Sequence, residues 1–129
     1  MSAIAMTRTT DLPFDQAVEA CRSALAGEGF GVLTEIDMQA TLKAKLDVDR
    51  DPYLILGACH PPSAHAAIGA APEVGVLLPC NVTVSVEDGT TTVRAMDPSG
   101  AMDMIGDPAV SKVAADVRDR LERAIDSVG

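Results

Sequence analysis

Apolar residues recur at helical spacing in two segments of the chain. The first apolar face carries Phe14, Ala17, Val18, Cys21 and Leu25. The second carries Val110, Val113, Ala114, Val117, Leu121, Ala124, Ile125 and Val128. Gly27 and Gly29 can end the first segment, and Asp107-Pro108 is typical of a helix start for the second. Both segments are predicted to be amphipathic helices with buried apolar faces.

Strand-forming residues fill five other segments: 3–10, 30–36, 52–58, 75–86 and the stretch that follows residue 89. Short helices are predicted after Asp37, which can cap the first of them, and at residues 63–71. This order predicts an α+β fold, a two-layer sandwich with a mostly antiparallel five-stranded sheet and helices packed on one face. Residues 1–129 are expected to form a single domain.

Asp88-Gly89 is typical of a two-residue turn between antiparallel strands. Pairing outward from this turn predicts that Glu87 lies opposite Thr90, Val84 opposite Val93, and Val82 opposite Ala95. The same register brings Cys80 close to Asp97. A thiol and a carboxylate are therefore expected to meet at one end of the hairpin.

Pro79 interrupts the predicted strand at 75–86. Because proline has no N–H to donate, the strand is expected to lie at a sheet edge there or to contain a bulge. A bulge would reverse the alternation of faces, so the face on which Cys80 lies is left open. Residues 98–106 are predicted to be a loop that exposes Met102, Met104 and Ile105.

The composition excludes several classes of partner. The formal net charge is −9, which disfavours nucleic acid and anionic lipid surfaces, since both require clustered Lys or Arg. Phe14, Phe30 and Tyr53 are the only aromatic residues, too few for a base-stacking platform. With no long apolar run and no secretory signal pattern, a cytoplasmic protein that does not enter membranes is expected.

Five short motifs resemble a known family. They are Gly29-Phe30-Gly31-Val32-Leu33, Glu35-Ile36-Asp37, Leu56-Gly57-Ala58-Cys59, Leu77-Leu78-Pro79-Cys80-Asn81-Val82 and Asp97-Pro98. In this order they resemble the domain-of-unknown-function family numbered 302, from the Phe14 helix to the C-terminal helix. The resemblance implies a curved antiparallel sheet with helices on one side, a homodimer and no established activity. The sequence departs from the family pattern at His60, where the family commonly has Asn.

The residues with the richest chemistry are Cys59 and His60, where a predicted strand leads into a helix. A thiol near a helix N-terminus or an imidazolium has its thiolate favoured, so Cys59 is a candidate nucleophile or redox thiol and His60 its activating cation or base. Cys80 and Asp97 are expected on neighbouring strands. Cys21 is predicted to be a small core residue instead.

Two other interpretations of these residues stay open. Cys59 and Cys80 can be small core residues, with the His60 ring bonded to a backbone carbonyl. Alternatively, Cys59, His60, His65 and Cys80 are suitable ligands for zinc or copper(I), although their spacing matches no standard metal motif.

The favoured functional hypothesis is a non-enzymatic dimer that binds a small ligand or a protein partner in one groove. The candidate binding residues are Cys59, His60, Cys80, Asp97, Met102 and Met104. One alternative is a thiol-dependent redox or sulfur-handling protein that uses Cys59 and Cys80. A purely structural homodimer is another. The sequence indicates no particular cofactor.

Overall fold

The computed structural model describes residues 4–129, which form a five-stranded sheet and a set of short and long helices. The strands are β1 (Ala5–Thr10), β2 (Gly31–Asp37), β3 (Tyr53–Cys59), β4 (Cys80–Glu87) and β5 (Thr90–Met96). The α-helices are α1 (Phe14–Gly27), α2 (Met38–Leu46), α3 (Pro61–Ala70), α4 (Pro98–Asp103) and α5 (Pro108–Asp126). A 3₁₀ helix, Pro72–Leu77, lies between α3 and β4. The predicted α+β fold is confirmed.

All neighbouring strands of the sheet are antiparallel, in the order β1-β5-β4-β3-β2. The register of the β4–β5 hairpin is the one predicted from Asp88-Gly89, with Val84 opposite Val93 and Val82 opposite Ala95. The first strand of the chain, β1, pairs with the last, β5. Strands β1 and β2 therefore stand at the two ends of this order and form the edges of the sheet. Residue 3, which the predicted first strand included, lies outside the described residues.

A first core lies between the sheet and the helices α1 and α5. Each of these elements contributes at least one fully buried side chain, among them Leu25, Leu56, Val82, Val93 and Leu121. Burying one aliphatic side chain of this size stabilises the folded state by about 1.5–3 kcal/mol. Because this core buries many such side chains, it is the main source of stability.

Within residues 4–129, no helix combines the length and the apolar character that a membrane span needs.

A smaller second core is built from helices alone. Its buried residues come from α3, the 3₁₀ helix, the single residue between these two, α4 and the first half of α5: Ala67, Ala71, Val74, Met102, Val110 and Ala114. The second half of α5 packs in the first core. The two cores therefore share one long helix, and Leu78 and Val113 pack against both.

The predicted long strand at 75–86 is wrong in its first half. Residues 72–77 form the 3₁₀ helix, which begins at Pro72, and Val76 is 87% exposed. Pro79 cannot donate to a strand partner, so β4 begins only at Cys80. From there the alternation is regular, and Cys80 lies on the core face with Val82 and Val84.

The predicted loop at 98–106 is also wrong in part, because its first six residues form α4. The Asp97 side chain caps this helix by accepting a hydrogen bond from the Ser99 N–H at 3.0 Å. Helix α4 places the Met102 side chain in the second core, where it is 2% exposed, whereas Met104 is 87% exposed as predicted.

Helix α3 begins at Pro61, two residues earlier than predicted, because proline suits the first helical turn.

The sheet face opposite α1 and α5 carries an ion pair on the β4–β5 hairpin. The Arg94 guanidinium donates to both carboxylate oxygens of Glu87, one at 2.9 Å, and the Ser85 hydroxyl donates to Glu87 Oε2 at 2.7 Å. These hydrogen bonds lower the pKa of Glu87 from its ordinary value of 4.5 to about 2.

Gly57→Ala is expected to destabilise the fold by about 1–3 kcal/mol. A Cβ atom at this position would lie 2.1 Å from Thr34 Oγ1 and 2.8 Å from Pro79 Cγ. Urea unfolding measures the loss. Gly31→Ala on the neighbouring strand β2 is the matched control, because a Cβ there meets nothing within 4 Å. Equal stability of the two variants would contradict this role of Gly57.

Glu87→Gln is expected to lower stability by about 0.5–1 kcal/mol at pH 7, a range limited by solvent screening because the Glu87 side chain is 42% exposed. The folded-state pKa lies below the ordinary value, so the ion pair stabilises the fold above pH 4.5 and loses this effect as the pH falls toward 2. Urea unfolding of both proteins at pH 7 and pH 3 should give a smaller difference at pH 3. The same difference at both pH values would refute the assignment.

Candidate functional site

Strands β3 and β4 meet closely at the end where the two motif cysteines lie. Ala58 pairs directly with Cys80, and Cys59 is the last residue of β3. One residue earlier, Gly57 has no side chain, which leaves room for the Thr34 hydroxyl and the Pro79 ring. The motifs at 56–59 and 77–82 are therefore neighbours in space, and together they bring Cys59 and Cys80 to one end of the sheet.

His60 follows directly and is the N-terminal cap residue of α3. Its Nδ1 nitrogen shares a hydrogen bond with the Ser63 hydroxyl at 2.6 Å, so at this nitrogen the partner is a side-chain hydroxyl and not a backbone carbonyl. The ring lies edge-on to Phe30, with 5.7 Å between centroids. A Cβ at Gly29 would be 3.0 Å from the ring, so glycine there leaves space for it. These contacts fix the imidazole between α3 and the start of β2.

A cavity of about 380 Å³ lies beside these residues, where the two cores meet. Phe30, Cys80 and Val117 of the first core and Ala67 and Met102 of the second line it. Four of its lining residues have polar side chains: Cys59, His60, Ser63 and Cys80. The cavity is thus an apolar space with polar atoms gathered at the ends of β3 and β4.

The rim of the cavity is apolar as well. Leu33 is 66% exposed and Ile68 is 44% exposed, and both line the opening. Leu33 lies where the pairing of β2 with β3 shifts by one residue, which is typical of a β-bulge. The bulge and α3 thus place two large exposed side chains beside the polar groups.

The two cysteines of the cavity differ in exposure. Cys59 is half-buried, whereas Cys80 is only 4% exposed. Burial, together with the nearby Cys59, raises the pKa of the Cys80 thiol to about 11. Burial raises the pKa of Cys21 to about 11 as well, and Cys21 lies in the first core as predicted. Cys80 is therefore a neutral thiol near pH 7, and Cys59 is the more accessible of the pair.

Asp97 and Met104 lie apart from this cavity. Both line a second cavity, of about 720 Å³, on the sheet face opposite α1 and α5. Besides capping α4, the Asp97 carboxylate accepts a hydrogen bond from Arg118 Nε at 3.1 Å. These two hydrogen bonds join Asp97 to α4 and α5, and the predicted meeting of Cys80 with Asp97 does not produce a shared site.

Four of the six candidate residues do come together, namely Cys59, His60, Cys80 and Met102. Ser63 was missed, although its position three residues after His60 in the same helical turn was a signal for the contact. Val113 and Val117 were predicted only as apolar core residues. The apolar stripe of a helix predicts which residues are buried. It does not predict which of these residues line a cavity and which lie in a packed interior.

The metal-binding alternative gains no support from the side chains of residues 4–129. Among them, no group of three or more His, Cys, Asp or Glu side chains is arranged to hold a metal ion. His65 is exposed on α3 and does not line the cavity that contains Cys59 and Cys80.

The chain matches the family model described as "Domain of unknown function DUF302" over residues 6–128. It is also similar to a solved structure, the crystal structure of the uncharacterized conserved protein DUF302 from Bacillus stearothermophilus. The TM-score is 0.92 at 30% sequence identity, and the alignment covers 99% of this chain and 100% of that chain. No curated protein is significantly similar to this chain.

Iodoacetamide at pH 8 is expected to modify Cys59 at least about tenfold faster than Cys21 or Cys80 in the folded protein, because both slower thiols are buried and largely protonated at that pH. Peptide mass spectrometry over a time course measures the three rates. Unfolding in urea should make the rates similar, which serves as the control. Equal rates for Cys59 and Cys80 in the folded protein would contradict the described difference in exposure.

Proposed function

Because this chain belongs to the DUF302 family, whose description assigns no activity, we propose a function from the cavity itself. The chain binds a small, mostly apolar molecule in the cavity between α3, α5 and the ends of β3 and β4. The observation that carries this proposal is an apolar cavity of about 380 Å³ whose few polar groups gather at one side.

The size and lining of the cavity support a small-molecule ligand. Ligand sites typically have volumes of about 300–1,000 Å³ and are lined mainly by apolar side chains with a few polar groups. The exposed rim residues Leu33 and Ile68 add to this support. Each square ångström of apolar surface that a ligand covers contributes about 25 cal/mol, so covering these two side chains favours binding.

The polar groups suggest how a ligand is oriented. His60 Nδ1 is engaged by Ser63, which is its hydrogen-bond partner among the described residues. The Cδ2–Nε2 edge of the ring packs against Gly29, where a Cβ would lie 3.2 Å from Nε2. One polar group on an otherwise apolar ligand can bond to the polar side chains that line the cavity, among them the Ser63 hydroxyl and the thiols of Cys59 and Cys80. This arrangement favours a ligand with a single polar end.

The remaining hypotheses about the protein stay predictions. The homodimer and the cytoplasmic location were expected from the family resemblance and from the composition. The absence of an enzymatic activity is likewise an expectation, and a thiol-dependent role concerns the same two cysteines that line the cavity. Ligand binding is favoured over a purely structural role because a structural dimer does not need an open apolar cavity.

Ala64→Leu is expected to weaken binding of the neutral fluorescent probe N-phenyl-1-naphthylamine at least about tenfold, since Ala64 lines the cavity and three added carbons occupy ligand space. Fluorescence titration measures the dissociation constant. Ala66→Leu is the matched control, because Ala66 is exposed on the same helix and does not line the cavity.

Circular dichroism checks that both variants fold. The proposal fails if the natural sequence shows no saturable binding, or if Ala64→Leu and Ala66→Leu bind the probe equally well.

A further inference from the structure

One side of the second cavity, of about 720 Å³, is the sheet face that α1 and α5 leave uncovered. Strand β4 contributes Asn81 and Thr83 to its lining, and β5 contributes Arg94, which lies opposite Thr83 in the hairpin. The 3₁₀ helix and the C-terminal end of α4 line the cavity with Val76 and Met104, each 87% exposed. The cavity therefore combines polar groups of the sheet with apolar side chains beside it.

Thr83 carries a polar atom that lacks a partner. Its Oγ1 is buried, and within residues 4–129 it is the only buried side-chain nitrogen or oxygen without a hydrogen bond. Buried polar atoms nearly always have a partner. Ser85, the next residue on the same face of β4, has one, because its hydroxyl donates to Glu87. Thr83 thus has an unused hydrogen bond in the lining of a cavity that is large enough for a ligand.

The Thr83 hydroxyl can offer this hydrogen bond to a molecule in the cavity. Its position is set by rotation about one bond, χ1, and this rotation exchanges the places of the hydroxyl and the methyl group. Because the residue lines the cavity, a ligand oxygen placed beside it can accept the bond without any movement of the backbone.

The charges around the cavity indicate which kind of acceptor fits. The guanidinium of Arg94 is the positive group of the lining, and it already donates to both carboxylate oxygens of Glu87. Asp97 adds a carboxylate to the lining, and the chain as a whole has a net charge of −9. A carboxylate or phosphate ligand would be repelled, whereas an uncharged carbonyl oxygen accepts a hydrogen bond without this repulsion.

We propose that the second cavity binds an uncharged molecule with an apolar body and one carbonyl oxygen, such as a ketone, an ester or an amide. The carbonyl oxygen accepts the hydrogen bond of Thr83, and the apolar body covers Val76 and Met104. This site is separate from the ligand site proposed above, since the two cavities share only Leu78 and Pro79 among their lining residues. Neither site depends on the other.

Fluorescence titration with 6-propionyl-2-dimethylaminonaphthalene tests the proposal, because this uncharged probe carries one ketone on an apolar ring system. Thr83→Val removes the hydroxyl at nearly constant volume and should weaken binding about fivefold through loss of one hydrogen bond. Thr83→Ser keeps a hydroxyl and should retain most of the affinity. Urea unfolding of Thr83→Val should show no loss of stability, because the hydroxyl of the free protein has no partner to lose.

Thr9→Val is the matched control for the lost hydroxyl. Thr9 is exposed on β1, on the same face of the sheet, and it does not line the cavity, so this variant should bind the probe like the natural sequence. Ala101→Leu fills part of the second cavity and should weaken binding at least about tenfold, whereas Ala64→Leu, in the first cavity, should not.

Equal affinity of Thr83→Val and the natural sequence, or no saturable binding, would overturn the proposal. Loss of binding in Ala64→Leu would also overturn it, because the probe would then occupy the first cavity. If the natural sequence binds no probe and light scattering shows a dimer that Val76→Asp dissociates, a second copy of the chain covers this face instead. N-phenyl-1-naphthylamine has no carbonyl group, so its binding to the first cavity can succeed or fail without changing these outcomes.

Discussion

The close approach of β3, β4 and β2 around Gly57 is the constraint on which the site depends. A single added carbon there would collide with the Thr34 hydroxyl and the Pro79 ring. Because the strands can approach so closely, Ala58 pairs with Cys80, and the chain leaves β3 at Cys59 directly into His60 and α3. The positions of both thiols and of the imidazole follow from this one contact.

The cavity exists because α5 belongs to two cores at once. Its second half packs on the sheet and its first half packs on α3, α4 and the 3₁₀ helix, and the two cores do not close against each other where they meet. Protein interiors are normally filled to crystal density, and unfilled apolar volume lowers stability. An apolar cavity that opens beside an imidazole and two thiols is therefore more consistent with a binding site than with imperfect packing.

The sequence predicted the fold better than the site, for identifiable reasons. The two long helices and the β4–β5 register carry strong local signals, in apolar stripes and in Asp88-Gly89. The apolar run Val76-Leu77-Leu78 also suits a strand, so it concealed the 3₁₀ helix that ends at Leu77. Asp97-Pro98 is the same start signal as Asp107-Pro108, and it would have predicted α4 and with it the burial of Met102. Which residues line the cavity depends on how the two cores pack against each other. No local sequence pattern predicts this packing.

The most direct test of the central claim is a methyl-resolved NMR titration of the chain with N-phenyl-1-naphthylamine. If the cavity is the binding site, shift changes should be confined to lining methyl groups such as those of Ala64, Ile68 and Met102. Changes centred instead on Val76 and Met104, which line the second cavity, or no saturable changes at all, would contradict the account.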